Sequence, residues 1–240
     1  MKLILPKEHG AWAMWIAPFI IGIGITNFHW LHLLLFVSIF FVYIAISPFL
    51  QGFRRSSERI KSWKLSLTYL GIALLFGIPI IFYFPKILFI PILVAPLFLV
   101  TLYFVITKNE RALFNDFIGI AALNSTLFAS YSIATLQFDL KSGLLWILQI
   151  ALFFGSALYV KTLIRERESK IFKWITNIYM LLLPIIAFLF FGPFAMIAYL
   201  FSTFRSLITP FGAVLSPKKV GIIEIVNTSW FIVWTIIAFS

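Results

Sequence analysis

Residues 65–84 read LSLTYLGIALLFGIPIIFYF, a predominantly apolar run of the length that crosses a bilayer. A hydrocarbon core of about 30 Å needs about 20 such residues in a helix. The run lacks the strict apolar–polar alternation of a membrane β-strand. Because hydrocarbon offers no hydrogen-bond partners, the backbone must satisfy its own polar groups. The stretch therefore predicts a transmembrane α-helix.

The same kind of run recurs on both sides of this segment. We predict nine spans in all, at residues 11–27, 31–50, 65–84, 87–106, 116–136, 143–163, 173–191, 194–211 and 220–239. The chain is 62% hydrophobic and 11% charged, against roughly 25% charged residues in soluble domains. The longest polar stretch, residues 51–64, is too short to bury a core of its own. Residues 1–240 are thus predicted as one all-α integral membrane domain.

Basic residues are concentrated in every second loop. All of the 19 Lys and Arg residues except Lys86 and Lys141 fall on the side of the N-terminus. The positive-inside rule then predicts a multi-pass protein of the cell (cytoplasmic) membrane, with the N-terminus inside and the C-terminus outside. Topology explains most of the net charge of +11, so the expected partners are anionic inner-leaflet phospholipids and not nucleic acid.

Several of these basic residues are candidates for binding an anionic head group, because guanidinium and ammonium groups suit phosphate oxygens. The candidates are Lys7, Arg54, Arg55, Lys108, Arg111, Lys161, Arg165 and Arg167. The alternative is contact with lipid head groups alone. Around residue 166 a helix would also allow the chain to neutralise itself, through pairs at i,i+3 and i,i+4.

Polar residues of the fifth span provide further candidates. Asn115 and Asp116 stand at its entry, where they are interpreted either as substrate-binding residues or as a helix N-cap. With Glu110, Asp116 is also a plausible oxygen ligand for a divalent ion. Asn124 lies deeper, where an amide lines a pocket or forms a helix–helix hydrogen bond.

Two residues are candidates for handling a proton. His9 opens the first span, and a histidine serves as acid, base or anion partner near neutral pH. The alternative for His9 is an interfacial anchor paired with Glu8. Glu224 lies about one turn inside the last span, where an isolated carboxylate is costly, so either a proton role or an ion pair with Arg205 is expected.

The chain contains no cysteine, and no Walker, HExxH or nucleophile-elbow motif. No cofactor or metal site is evident.

Three stretches carry a resemblance to a known family. Residues 5–14 read LPKEHGAWAM, residues 109–116 NERALFND and residues 164–167 IRER. Together they resemble the YwiC-like family of bacterial membrane proteins, along the whole chain. The resemblance implies a multi-pass membrane protein and brings no mechanism with it.

The layout is also similar to UbiA-type prenyltransferases, which have nine helices and working loops between helices 2–3 and 6–7. Residues 17–22 (APFIIG) and the segment from Lys108 to Asn124 carry this likeness. It implies a helical bundle that binds an isoprenyl diphosphate. Members hold Mg²⁺ with Asp-rich motifs, whereas loop 2–3 here offers only Glu58, and several carboxylates are needed to hold Mg²⁺. Mg²⁺ is therefore an alternative that the sequence does not favour.

These observations lead to two functional hypotheses. The first is a protein that binds a lipid or isoprenoid-type amphiphile through its phosphate or diphosphate head, as a transferase or lyase in which basic residues replace the metal. The second is a transporter, with the fifth span and Glu224 lining a path. Oligomeric state and substrate are left open.

Overall fold

The polypeptide is α-helical, without β-strands, over the part of the chain that the structure describes. This computed structural model describes residues 9–240, apart from the side chain of His9. The helices are α1 (His9–Ile25), α2 (Leu31–Arg54), α3 (Arg59–Tyr83), α4 (Phe89–Ile106), α5 (Leu113–Asn124), α6 (Thr126–Thr135), α7 (Leu140–Ile164), α8 (Lys170–Phe191), α9 (Pro193–Ile208) and α10 (Pro217–Phe239). Short 3₁₀ turns occupy Ser56–Glu58 and Pro85–Leu88.

Each predicted span coincides with a helical segment of residues 9–240, with α5 and α6 together forming the fifth. Seven of the segments are long enough and apolar enough to cross a membrane. The other two, Gly10–Ile25 and Pro193–Ile208, are apolar but shorter. The prediction of an all-α polytopic membrane protein is confirmed.

The fifth span is broken near its middle, between Asn124 and Thr126. Three side chains around the break bond to main-chain carbonyl oxygens. Asn124 Nδ2 donates to Ile120 O (2.8 Å). Ser125 Oγ donates to Ala121 O (3.0 Å), and Thr126 Oγ1 donates to Trp15 O on α1 (2.7 Å). Such bonds satisfy carbonyls inside a membrane and bend helices. The polar residues that set this span apart in the sequence thus serve its bend and its contact with α1.

Helices α1 and α6 approach each other closely at Gly22. A Cβ atom at this position would lie 2.0 Å from Ser130 Oγ and 3.0 Å from Tyr131 N. Small residues allow helix backbones to approach in membrane proteins, where packing rather than hydrophobic burial drives association. Gly22 is therefore required by the contact between α1 and α6.

The centre of the bundle is formed by α1, α5, α6 and α7. Of the most apolar window in Leu113–Thr135, 61% of the residues are buried, against 6% for the window in Pro85–Ile106. Helices α2 and α3 pack together on one side of this centre, and α8, α9 and α10 on the other. The outer helices thus offer their apolar faces to lipid.

Loops that alternate along the chain meet at opposite ends of the bundle. At one end, Lys161 Nζ donates to Arg111 O (3.1 Å), and Lys170 Nζ lies 5.8 Å from the centre of the Phe211 ring. At the other end, Lys141 Nζ donates to Phe239 O (2.6 Å). We call the first the basic end, formed by the loops at residues 55–58, 107–112, 165–169 and 209–216 together with the helix ends that border them. It is the end predicted to face the cytoplasm.

Helix α7 begins at the opposite end with a capping box. Asp139 Oδ1 accepts a hydrogen bond from Ser142 N (2.8 Å), and Ser142 Oγ accepts one from Asp139 N (3.2 Å). The Tyr131 hydroxyl also donates to Asp139 Oδ2 (2.7 Å). Burial alone raises the pKa of the Asp139 carboxyl, but the bonds from Tyr131 and Ser142 and the charge of Lys141 outweigh it. The pKa of Asp139 is therefore held below its ordinary value.

Candidate functional site

A cavity of about 320 Å³ opens at the basic end, between α8 and the chain that follows α9. We call it the α8–α9 cavity. Its lining residues are Lys170, Lys173, Trp174, Asn177, Leu207, Thr209, Pro210 and Phe211. Two ammonium groups and a few polar atoms thus stand among aromatic and aliphatic walls in a cavity that is partly open to its surroundings.

Four of the lining residues come from one face of α8, since they recur at i, i+3, i+4 and i+7. Ser169 caps the helix by accepting a hydrogen bond from Phe172 N (3.2 Å), so α8 begins at Lys170. The span predicted from hydropathy begins three residues later, at Lys173. Both lysines therefore stand in the first turn, where the helix dipole favours anions and disfavours cations.

The opposite wall forms because α9 ends at Ile208, whereas its predicted span continues to residue 211. Pro210 has no N–H group and disfavours helical backbone in the residue before it, and Thr209 is extended. Gly212 follows with a φ of 73°, a left-handed conformation that glycine adopts without strain. The chain turns here and brings Phe211 over Lys170.

The lysines of the α8–α9 cavity form no ion pair with a carboxylate of residues 9–240. Lys173 Nζ donates to Ser206 O (2.7 Å). Asn177 also lines the cavity, and because its Oδ1 accepts from Ser206 Oγ (2.8 Å), its amide nitrogen remains available as a donor. The cavity is therefore cationic and rich in donors.

Tyr159 of α7 contacts two residues that line this cavity and also a buried arginine. Its hydroxyl is hydrogen bonded to Thr209 Oγ1 (3.0 Å), a lining residue. Lys173 Nζ lies 6.0 Å from the centre of the Tyr159 ring, and Arg205 Cζ lies 4.4 Å from it. The ring thus lies close to two cations, and the face of an aromatic ring attracts a cation at such distances.

Arg205 of α9 forms an ion pair with Glu224 of α10, which is one of the two roles that the sequence predicted for this carboxylate. Arg205 is only 4% exposed, and its Nη1 donates to Glu224 Oε1. Its Nη2 donates to Ser156 Oγ on α7 (2.8 Å). The buried Nε has no hydrogen-bond partner among residues 9–240. The pairing confirms that an intramembrane carboxylate here is matched by a cation.

Amide and hydroxyl groups extend this ion pair deeper into the bundle. Ser202 Oγ donates to Asn227 Oδ1 (2.6 Å), and Asn227 Nδ2 donates to Ser156 Oγ (3.4 Å). Together with Arg205 and Glu224, these side chains form what we call the buried polar network. It joins α7, α9 and α10, and low local dielectric makes each of its bonds costly to leave unmade.

Several predicted binding residues meet elsewhere at the basic end. Arg54 of α2 binds Glu110 with a forked contact, in which Nε donates to Oε1 (2.9 Å) and Nη2 to Oε2. Asn115 Nδ2 donates to Glu110 O (2.8 Å), and Asn115 Oδ1 is buried without a partner among residues 9–240. Arg54 is thus already matched by a carboxylate.

Lys161 and Asp116 complete this cluster. Lys161 Nζ lies 2.6 Å from Asp116 Oδ2 and donates to Arg111 O. Helix α5 begins at Leu113, with Ala112 at the N-cap position, so the interpretation of Asn115 or Asp116 as an N-cap is wrong. Instead, both stand inside the first turn, where a carboxylate suits the helix dipole.

The remaining basic candidates lie apart from these clusters. Arg55 forms a long, exposed contact with Glu58 (3.8 Å). Lys108 has a φ of 57° in the loop between α4 and α5. Arg165 and Arg167 lie in the loop between α7 and α8 without a carboxylate partner among residues 9–240. The predicted self-neutralisation of this loop does not form, because residues 165–169 are not helical.

Asn124 is the remaining predicted site residue whose side chain the structure describes. Asn124 is fully buried at the break of the fifth span, and its Oδ1 has no partner among the residues described. Lys7 lies outside the described residues, as does the side chain of His9.

The carboxylates proposed as ligands for a divalent ion do not fit that role. Glu110 is engaged by Arg54, and Asp116 by Lys161. Within residues 9–240, no three His, Asp or Glu side chains come together as a metal site.

Sequence reasoning missed the α8–α9 cavity. In the sequence, Lys170 and Lys173 stand out only as topology signals, and Asn177, Thr209 and Phe211 do not stand out at all. Two signals are nevertheless present: the polar spacing along the start of α8, and the Pro-Phe-Gly stretch at 210–212, which ends a helix.

The fold defines the class: a polytopic α-helical membrane protein with charged networks at one end of the bundle. The model of the family described as "YwiC-like protein" matches residues 5–131. "Uncharacterized protein YwiC" of Bacillus subtilis (strain 168) is 36% identical over 236 residues, covering 97% of this chain and 96% of that protein. A Haemophilus influenzae protein, "Uncharacterized protein", is 32% identical and covers 99% of both chains. The chain belongs to the YwiC-like family.

No solved structure matches this chain. The similarity in layout to UbiA-type prenyltransferases stays a prediction.

Proposed function

We propose that this protein binds an amphiphile with a phosphate-type head in the cytoplasmic leaflet of the bacterial cell membrane. The α8–α9 cavity is the observation that carries the proposal, because it holds two lysines without carboxylate partners among residues 9–240, beside apolar walls. It lies at the basic end, which the positive-inside rule assigns to the cytoplasm.

The local electrostatics support an anionic ligand. Lys170 and Lys173 occupy the first turn of α8, which contains no acidic residue. Two cations at a helix N-terminus oppose both each other and the helix dipole. A bound anion would offset this cost, and it would meet two ammonium groups and the Asn177 amide within one cavity.

The residues predicted from the sequence take a different part in this proposal. Arg54 and Lys161 are matched by carboxylates, and neutralised cations attract an anion weakly. Arg165 and Arg167 remain unmatched, within the described residues, in the loop that leads into α8, so we assign them to steering the head group toward the cavity. Glu224 is held by Arg205, so the proposed role of the protein is binding.

Thermal unfolding of the detergent-purified protein tests this proposal. Isoprenyl phosphates, alkyl phosphates and anionic phospholipids would each be added, with and without Mg²⁺, because a bound ligand stabilises the folded state by mass action. The double variant Lys170→Gln/Lys173→Gln should lose the stabilisation. A charge-assisted hydrogen bond contributes about 1.5–3 kcal/mol, so affinity should fall by about tenfold or more.

The matched control is Lys218→Gln/Lys219→Gln, which removes two exposed lysines of the basic end that do not line the cavity. It should bind the ligand as the wild type does. If both double variants lose the ligand-induced stabilisation equally, the effect comes from net charge and the cavity is not the binding site. If the wild type shows no preference for ligands with a phosphate head, the proposal is overturned.

A second function, transport, is favoured by the buried polar network. Charged pairs inside a membrane often mark the pathways of ions and protons, and transporters use broken helices such as α5–α6. Flux into proteoliposomes tests it: transport that needs Glu224 should be lost in Glu224→Gln while the protein still inserts. Absence of flux for every phosphate amphiphile that binds would dismiss transport.

A further inference from the structure

A shallow apolar depression of about 360 Å³, more open than the α8–α9 cavity, lies on the outer side of α9. We call it the α9–α10 groove. It is lined by Leu200, Phe201, Thr203, Phe204, Leu207 and Trp230. Leu200, Phe204 and Leu207 recur at i, i+4 and i+7, and all three are exposed. The floor of the groove is therefore one face of α9.

The walls of this groove are fixed by hydrogen bonds that point away from it. Trp230 Nε1 donates to Ile197 O (2.8 Å), which ties α10 to α9. Thr203 Oγ1 donates to Met180 O on α8 (2.6 Å), so its hydroxyl is occupied. The groove consequently offers a preformed hydrocarbon surface, in which the polar side-chain atoms of its lining residues are already bonded.

The groove and the α8–α9 cavity share Leu207 as a lining residue. From Leu207 the groove follows α9 for seven residues to Leu200, which is about 10 Å toward the middle of the bundle at 1.5 Å per residue. Its one end thus adjoins Lys170 and Lys173 of the α8–α9 cavity, and the other end lies among apolar side chains.

We infer that the α9–α10 groove holds the hydrocarbon tail of the ligand whose anionic head occupies the α8–α9 cavity. This inference rests on the proposed function. The occupant is a phosphate-headed amphiphile that lies along the outer face of α9, with its tail open to the bilayer rather than enclosed in the bundle. Entry would then be lateral from the membrane, and selection would act on the shape of the tail next to Phe204 and Trp230.

The test uses an alkyl phosphate that carries a photoreactive diazirine at the end of its chain, with an isoprenyl phosphate bearing the same group as a second arm. After irradiation in lipid nanodiscs, the crosslinked residues are identified by mass spectrometry. We expect crosslinks at Leu200, Phe204 and Trp230, and their loss in Lys170→Gln/Lys173→Gln, because the lysines fix the head. Preference for one arm would separate straight-chain from isoprenoid ligands.

A second measurement uses a variant in which a larger side chain fills the groove. Leu200→Trp should obstruct the tail and reduce the ligand-induced rise in melting temperature. The matched control Leu189→Trp adds the same bulk at an exposed position of α8 that lines neither cavity, and it should leave the rise unchanged. If both tryptophan variants behave as the wild type, the groove is not the tail site.

The outcomes distinguish this inference from the proposed function. Lysine-dependent stabilisation with crosslinks inside the bundle would keep the proposed function and overturn the placement of the tail. Groove crosslinks that persist in the lysine variant would show ordinary bilayer lipid, which also overturns the placement. No lysine-dependent stabilisation by any phosphate amphiphile would overturn the proposed function itself.

Discussion

The ion pair between Arg205 and Glu224 should behave as a single energetic unit. Arg205 is 4% exposed, whereas the side chain of Glu224 on the neighbouring helix is 18% exposed, so the arginine is the buried member of the pair. We therefore expect Glu224→Gln to destabilise the protein through the cation that it leaves unmatched, and not through lost packing, because glutamine keeps the shape of glutamate.

The size of the effect follows from the contacts that remain. Removing one partner of a buried ion pair typically costs about 3–5 kcal/mol. In Glu224→Gln, Arg205 would keep its bond to Ser156 and its position over the Tyr159 ring, so we expect the lower end of that range, about 3 kcal/mol. An apolar replacement of the arginine removes the unmatched charge, so Arg205→Met/Glu224→Gln should be more stable than the sum of its single variants predicts.

Reversible unfolding in mixed detergent micelles measures these changes, provided that the transition is two-state. The double-mutant cycle should give a coupling free energy of about 1 kcal/mol or more. Glu168→Gln, which neutralises an exposed loop carboxylate, should stay within about 0.5 kcal/mol of the wild type. A Glu224→Gln variant as stable as that control, or additive single variants, would refute the reasoning.

Three further predictions concern packing, pH and surface charge. Gly22→Ala should lower the free energy of unfolding by about 1–3 kcal/mol, because the added methyl group clashes with Ser130. The control Gly71→Ala places its methyl group in open space on a helix, so it should be neutral or slightly stabilising in the same denaturation assay. The pKa of Asp139 is lowered in the folded state, so the ionised carboxylate stabilises the fold. This stabilisation is complete above the unfolded pKa of about 3.9 and is lost as pH falls through the folded pKa. Asp139→Asn should therefore reduce the fall of melting temperature at acid pH. Arg54→Gln should cost no more than about 1 kcal/mol, because its ion pair is partly exposed, and a larger loss at low salt would contradict that view.

The sequence was sufficient for the fold wherever one physical requirement dominated. Hydrocarbon requires long apolar helices, so hydropathy along the chain was enough to place the spans. It also penalises a lone carboxylate, which made Arg205 the expected partner of Glu224. No such requirement links Arg54 to Glu110, which are separated by 56 residues, and their pairing depends on how α2 and the loop after α4 come together.

Two small errors in predicted helix boundaries concealed the α8–α9 cavity. Hydropathy places the start of a span where the apolar residues begin, which assigns Lys170 to a loop, although Ser169 caps a helix that contains it. It also continues the next span through Pro210, although proline ends the helix. With those boundaries the lysines do not share a helical face, and Phe211 has no reason to turn back over them. The free energy of transfer into hydrocarbon determines where an apolar span begins and ends, whereas capping residues and prolines determine where the helix does. In this protein the candidate site includes residues that lie between the predicted span boundary and the actual helix boundary.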